Sequence, residues 1–380
     1  MYLNSMKIKN CEIYVHIPFC VKKCDYCDFV SFACDDEVKH AYFDSLIKEI
    51  ELNAESGADM PVDSVFFGGG TPGIADAHEI LRVLDALRSK YEVSPDAEIS
   101  IELNPASADL EKIKIYRSAG INRVSIGLQS SDERELKILG RPHSFNDFLR
   151  TYDDVHKAGF DNVNIDIMSA LPGQSVKSYL STLDTVTKLK PSHISAYSLI
   201  IEEGTPFFER YKDNKGLPDE DTEREMYYAT KEVLGKAGYM RYEISNYAVP
   251  GKECRHNTGY WERKPYMGFG LAAASFDGSK RYQMHNDLKR YIKGDHEREI
   301  TLLSKEDAMA EFMFLGLRMM KGIKKTLFKE EFSADIYDIY GPLLEKQKET
   351  GLIKEEGDRI FLTDYGIDVS NVVFADYLLV

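Results

Sequence analysis

Six short β-rich runs mark the first two hundred residues of the chain: Glu12–Ile17, Asp63–Gly68, Glu98–Leu103, Arg123–Leu128, Asn162–Ile167 and His193–Ser198. From the second run onward they recur at roughly 25–40 residues, the length of a βα unit. Apolar residues at three-and-four spacing fill the intervals, as in Ala41–Leu52 and Ala77–Leu87, and predict helices. Ala119-Gly120 and Ala158-Gly159 each stand a few residues before a strand, where a glycine closes a helix. Repeating strand and helix in this order predicts an α/β fold with a parallel sheet covered on both faces. Periodicity leaves open whether the sheet closes as an eight-unit barrel or stops as an open six-unit one.

Past residue 205 the pattern changes. Gly204-Thr205-Pro206 breaks the chain, Asp219–Ala237 reads as a helix, and Tyr239–Phe276 is rich in glycine and aromatics. Ser304–Met320 reads as a helix opened by an N-cap serine, with Asp307 three residues on. Near the end, Leu352–Lys354 and Arg359–Leu362 flank Glu-Glu-Gly-Asp, a hairpin signal. The division expected is an N-terminal extension (1–11), a barrel core (12–205), an extension (206–300) and a helical, winged-helix-like domain (301–380). Winged helices often bind DNA, but residues 301–380 carry ten Lys/Arg against fifteen Asp/Glu, and the whole chain is −15. That charge argues against nucleic acid and anionic membranes as partners. No apolar run approaches the roughly 18 residues of a spanning helix. The first residues lack the apolar core of a secretory signal, so a cytoplasmic, reducing location is expected.

The six cysteines are unevenly placed. Cys20, Cys24 and Cys27 crowd together directly after the first strand, while Cys11, Cys34 and Cys254 stand alone. In β/α barrels chemistry collects on loops at the C-terminal strand ends, where this cluster lies. Three thiolates suit a soft metal, either zinc with a fourth ligand or an iron–sulfur cluster. No second cysteine pair exists for zinc, and a [4Fe–4S] cluster on three cysteines leaves one iron open to a small molecule. Chance clustering in a loop is the bland alternative. The other strands end on Gly68-Gly69-Gly70-Thr71-Pro72, Glu102, Gln129 and Asp166. Glycines let a backbone approach a ligand closely and form a polar nest. Any one of the polar residues taken alone reads more simply as a helix N-cap. Together with the cysteine loop they describe a ring around one ligand.

Cys20-x₃-Cys24-x₂-Cys27, with Tyr26 before the last cysteine and Gly-Gly-Gly-Thr-Pro after the second strand, resembles the radical S-adenosylmethionine superfamily. Tyr14-Val15-His16-Ile17-Pro18-Phe19-Cys20, Asn164-Ile165-Asp166 and Leu171-Pro172-Gly173-Gln174 resemble the oxygen-independent coproporphyrinogen III oxidase family within it. The resemblance runs from about residue 12 to the C-terminus. It implies a partial (β/α)6 TIM-type barrel with a C-terminal helical, winged-helix-like domain, and a [4Fe–4S] cluster on Cys20, Cys24 and Cys27. It also implies S-adenosylmethionine contacts at Tyr14, Tyr26, Gly69, Gly70, Thr71, Glu102, Gln129, Arg141, Asp166 and Ile200. Arg141 can grip a carboxylate with both arms, and Glu102 and Asp166 can accept from an ammonium or ribose hydroxyls.

Two departures select a branch. The oxidases have a further cysteine two residues after the third, where this chain has Phe29. Conversely, His256-Asn257-Thr258-Gly259-Tyr260-Trp261 resembles the mark of the haem chaperone (HemW-type) branch. That resemblance implies haem as cargo, with His256, Asn257, Tyr260 and Trp261 as haem-binding residues. It also implies recipient haem proteins, including membrane-associated respiratory ones, and a cofactor-promoted homodimer. Imidazole suits haem iron and aromatics suit a porphyrin face. A histidine among aromatics is, on its own, more often a satisfied structural residue. Cys254 is expected to be a small buried residue rather than a haem attachment point. The competing readings are an oxidase that decarboxylates two propionates of coproporphyrinogen III to vinyl groups through a 5′-deoxyadenosyl radical, and a zinc-stabilised structural barrel.

Overall fold

The computed structural model describes residues 10–53 and 60–378, so the expected N-terminal extension lies outside the described residues except for Asn10 and Cys11. The core elements are β1 (Cys11–Ile17), α1 (Asp36–Leu52), β2 (Val62–Gly69), α2 (Ala77–Lys90), β3 (Val93–Leu103), α3 (Leu110–Ser118), β4 (Arg123–Gln129), α4 (Glu133–Ile138), α5 (Phe145–Lys157), β5 (Val163–Ser169), α6 (Val176–Leu189) and β6 (His193–Ser198). All six expected strands form. β3 starts at Val93 rather than Glu98, because Val93 pairs with Val62 before a register shift carries the ladder past Pro95. Prolines in strands are tolerated at such irregularities. Gly120 and Gly159 follow their helices with positive φ, as read from sequence.

Strands β1 to β6 pair in sequence order and in parallel. Among the described residues β1 and β6 do not pair, so the barrel is open. The remaining elements are α7 (Pro206–Tyr211), α8 (Glu220–Lys236), β7 (Met240–Arg241), β8 (Asn246–Ala248), α9 (Arg255–Trp261), β9 (Tyr266–Phe269), β10 (Ala274–Phe276), β11 (Lys280–Met284), α10 (Leu288–Ile292) and β12 (Arg298–Leu302). β9 extends the sheet beside β1 and β8 extends it beside β6, giving twelve strands.

The strands do not read as continuous apolar runs. Ile13, Val15, Ile17, Val65, Phe67, Ile99, Ile101, Val124, Ile126, Val163, Ile165 and Ile194 join the core cluster with helix residues such as Phe43, Leu84, Ile113, Phe148 and Leu183. The alternate positions carry Glu12, Tyr14 and His16 on β1, Glu98, Ser100 and Glu102 on β3, Arg123 and Ser125 on β4, and Asn164 and Asp166 on β5. Strand geometry sends these to the opposite face, the barrel interior. Barrel interiors are usually packed with branched apolar side chains. This one is polar, and buried polar groups cost stability unless they find partners. Many do: Asn164 bonds Ser125 and Asp166, each at 2.7 Å, and His193 at 2.6 Å.

The C-terminal region holds α11 (Lys305–Gly316), β13 (Ile323–Lys324), α12 (Lys325–Phe332), α13 (Ile336–Glu349), β14 (Ile353–Glu356), β15 (Arg359–Leu362), α14 (Asp364–Asp368) and α15 (Ser370–Asp376). The hairpin read from sequence is present as β14–β15, and β13 adds a third strand. Ser304 caps α11 in a reciprocal capping box with Asp307. The helix ends at Gly316 rather than Met320, since Met319 leaves it to bridge Glu243. Its own core gathers Met313, Leu317, Phe328, Tyr340, Leu344 and Ile360.

Candidate functional site

One cavity of about 360 Å³ lies at the C-terminal ends of the strands. Cys20, Cys24, Cys27, Tyr26, Gly69, Gly70, Thr71, Glu102, Gln129, Arg141 and Asp166 all line it. The loop bearing the cysteines is pinned at both ends. Cys20 N–H donates to Phe32 O at 2.9 Å, and Phe32 N–H to Pro18 O at 2.7 Å. Asp25 N–H donates to Leu139 O, and the Asp25 carboxylate pairs with Arg210 at 2.7 Å.

None of Glu102, Gln129 and Asp166 is a helix cap. The caps are Asp109 for α3, Asp132 for α4 and Ser175 for α6, so Glu102, Gln129 and Asp166 are left for the cavity. Gln129 takes φ +69 where the β4–β5 ladder shifts register, and its amide oxygen accepts from Tyr197 at 3.0 Å. Gly69 and Gly70 are demanded by packing as well as by any ligand. A Cβ on Gly69, at φ +109, would stand 2.5 Å from the His16 ring, and one on Gly70 2.6 Å from Phe19 O.

Burial, with Asp166 nearby, lifts the Glu102 carboxyl to about 8, and burial raises Asp166 as well. Without a cationic or hydroxyl-bearing guest the Glu102 carboxyl therefore favours the protonated form at neutral pH. Arg141 differs from the sequence expectation. One terminal nitrogen reaches Cys24 Sγ at 3.6 Å, and the other donates to Asn104 Oδ1 at 2.5 Å and Gly127 O at 2.7 Å. Only its buried Nε lacks a partner, so the two-armed grip on a carboxylate is not free. Thr71 Oγ1 accepts from Asn104 at 2.6 Å and lies 3.5 Å from Cys20 Sγ, so its own proton is available to the sulfur.

These residues fit an iron–sulfur cluster and a small polar ligand. Three thiols face one cavity, two of them beside donors, and carboxyls and an unpartnered guanidinium nitrogen share it. Among the described residues no three His, Cys, Asp or Glu side chains converge on a single metal-ion position.

Two of the expected contacts lie elsewhere. Tyr14 lines a neighbouring cavity, and Ile200, 68% exposed, edges a third one beside α8 and α15. The His256 segment forms α9, packed on β2. His256 is buried, with Nδ1 2.9 Å from Ser64 Oγ and Nε2 3.0 Å from Tyr260 Oη, and its ring stacks on Phe66 at 5.1 Å. Burial pushes its imidazolium down to about 3. Both ring nitrogens of the expected haem-binding His256 are thus engaged within the fold. Trp261 turns to another cavity and stacks under Arg318 at 4.3 Å, and Asn257 is half-buried. Cys254 is fully buried, its thiol 3.5 Å from Glu98 Oε1 and pushed up to about 12, as a structural cysteine would be.

Sequence reasoning missed the barrel floor of Glu12, Ser64, Glu98, Arg123 and His193, all buried. The alternation in EIYVHI and RVSIGL was its signal. It also missed His143, which lines the cysteine cavity with both ring nitrogens unpartnered and lies outside any strand.

The sequence matches the Radical SAM superfamily over residues 14–186 and the HemN C-terminal domain over 303–369. It is 34% identical to Heme chaperone HemW of Lactococcus lactis, covering 96% of this chain and 97% of that one. Heme chaperone HemW of Bacillus subtilis is 32% identical over 96% and 98%, and that of Escherichia coli 32% over 95% and 96%. Coproporphyrinogen III oxidase (HemN) from Escherichia coli superposes with a TM-score of 0.85 at 23% identity, covering 97% of this chain and 90% of that one, a likeness of fold.

Proposed function

The chain belongs to the HemW family of radical S-adenosylmethionine proteins, and on that premise we propose that it binds haem and delivers it to recipient haem proteins. Near-full-length similarity to proteins named as haem chaperones carries this reading. Phe29, standing where the oxidases have a further cysteine, supports it.

Cys20, Cys24 and Cys27 would hold a [4Fe–4S] cluster, whose open iron supplies a binding point and a source of one electron for S-adenosylmethionine. Thr71 and the Arg141 guanidinium donate toward the ligating sulfurs. Glu102, Asp166 and Gln129 line the same cavity and offer acceptors to ammonium and hydroxyl groups. Gly69, Gly70 and Tyr26 shape its wall, and Tyr14 and Ile200 stand further out. Residues 206–300 would carry the haem-binding segment, and 301–380 would form the winged-helix-like cap. We place the protein in the cytoplasm, with membrane-associated respiratory proteins among its recipients and a homodimer as its cofactor-loaded form. No helix among the described residues is long and apolar enough to cross a membrane.

The test is an anaerobic one. Reconstituted protein is titrated with haem, then mixed with an apo haem protein, and the Soret band is followed from donor to acceptor. Failure to bind or transfer haem counts against the proposal. Conversion of coproporphyrinogen III to vinyl product by the same preparation would replace it with the oxidase reading.

A further inference from the structure

His256 leads the segment that marks the haem reading, yet in this structure it is 1% exposed and both its ring nitrogens are engaged. An imidazole nitrogen has one lone pair, so a nitrogen that accepts a hydrogen bond cannot also bind iron. A phenol oxygen has two, and tyrosine is an established axial ligand of haem iron. From this contrast, and resting on the haem-chaperone reading above, we infer that Tyr260 Oη is the haem-iron ligand and that His256 is the positioning residue holding it.

Three observations support the inference. Tyr260 is half-buried and lines a cavity of about 330 Å³, whereas His256 does not reach that cavity. Tyr14, His16, Phe29 and Tyr266 share its wall, with Tyr266 set edge-to-face on Tyr260 at 4.7 Å. Flat aromatic walls suit a porphyrin face. The cavity also touches Asp28, Phe29 and Val30 of the loop that follows Cys27, which puts bound haem next to the cluster site.

Neighbouring groups narrow the choice of ligand. His16, the other imidazole of the cavity, has Nδ1 3.0 Å from Tyr14 Oη and Nε2 2.9 Å from Val30 O. Tyr266 Oη takes a bond from Arg281 at 3.1 Å. Tyr14 is the remaining phenol; its Oη is paired with His16 as that of Tyr260 is with His256, and the Tyr14→Phe variant below separates the two.

The segment HNTGYW then has a division of labour. Gly259 lets α9 lie on the barrel floor, since a Cβ there would sit 2.0 Å from Glu12 Oε1. His256 is fixed by Ser64 and in turn fixes Tyr260, which faces the cavity, and Trp261 anchors the far side of the helix under Arg318.

Coordination exchanges the Tyr260 Oη–H bond for an Oη–Fe(III) bond. The iron keeps its oxidation state and one proton leaves to solvent. Nε2 of His256, the acceptor of the phenol proton beforehand, becomes a donor to the phenolate through the other neutral tautomer. The Ser64 hydroxyl both donates and accepts, so it satisfies Nδ1 in either state.

The experiment uses the full chain with its cluster reconstituted anaerobically and titrated with ferric haem. Resonance Raman spectra of the complex should show tyrosinate modes. Tyr260→Phe should lose those modes and bind haem at least about tenfold more weakly, a typical loss when a specific bond goes, with unchanged iron and sulfide content and circular dichroism. His256→Gln, whose amide can still donate, should keep the modes at a shifted iron–oxygen frequency, which a merely structural role would not produce. Tyrosinate modes that persist in Tyr260→Phe, or that vanish in Tyr14→Phe instead, overturn the assignment and leave the chaperone reading standing. A histidine-ligated spectrum in the wild type overturns it as well. Wild-type protein that takes up no haem overturns both.

Discussion

Glu12 is the sharpest test of the polar barrel floor. Its carboxylate is buried, neither oxygen has a hydrogen-bond partner, and the nearest cation is Lys264 at 3.7 Å. Burial lifts the carboxyl from 4.5 to about 9. A folded-state value above the unfolded one means that the folded chain holds an extra proton between those limits. The stabilisation is therefore complete below pH 4.5 and is lost as pH rises toward 9. The loss runs at up to about 1.4 kcal/mol per pH unit, or roughly 2–3 kcal/mol between pH 6 and pH 8. Glu12→Gln removes the titration while nearly preserving shape, and every other titrating group is common to both proteins. Urea unfolding at pH 6 and pH 8 should show the wild type losing about 2–3 kcal/mol more than Glu12→Gln. Parallel losses in the two proteins would refute the reasoning and place Glu12 in water or in a full ion pair with Lys264.

Three further outcomes follow from the strand ends. Gly69→Ala must bear both a positive φ and the His16 ring, so it should cost about 2–5 kcal/mol. Gly159→Ala, with positive φ but open space, should cost only about 1–2 kcal/mol, and denaturant midpoints separate the two. Replacing Cys20, Cys24 or Cys27 with alanine should abolish iron and sulfide binding after anaerobic reconstitution, whereas Cys254→Ala should retain both. Thr71→Val removes the hydroxyl beside Cys20 Sγ and should shift the reconstituted cluster to a more negative potential, read by EPR-monitored redox titration.

The strands were legible because buried apolar residues recur at the spacing of a βα unit, and the cysteine loop because three cysteines fall within eight residues directly after a strand. Gathering of Glu102, Gln129 and Asp166 was also legible, since apolar runs that stop on polar residues mark strand ends. Local spacing could not separate a site residue from a packing residue. The glycines at 69 and 70 look like a ligand cradle, but His16 and Phe19 also require them. His256 looks like a ligand, but Ser64, almost two hundred residues away in the chain, engages one of its nitrogens. His143 gave no signal because the turn that carries it has no periodicity. Arg141 was found, yet its bonds to Asn104 and Gly127 depend on tertiary approach that sequence does not encode locally.

The alternation along the core strands has a consequence for how such proteins diversify. Every second residue faces the helix layer and answers for folding; the residues between face the interior and answer for what the barrel holds. Because neighbours in sequence belong to different faces, a lineage can rewrite the inner set one residue at a time while the outer set keeps the same scaffold standing. An inner face already polar also accepts a new charge at lower cost than an oily one would. One barrel thus becomes a chassis whose contents can change while its scaffold stays the same.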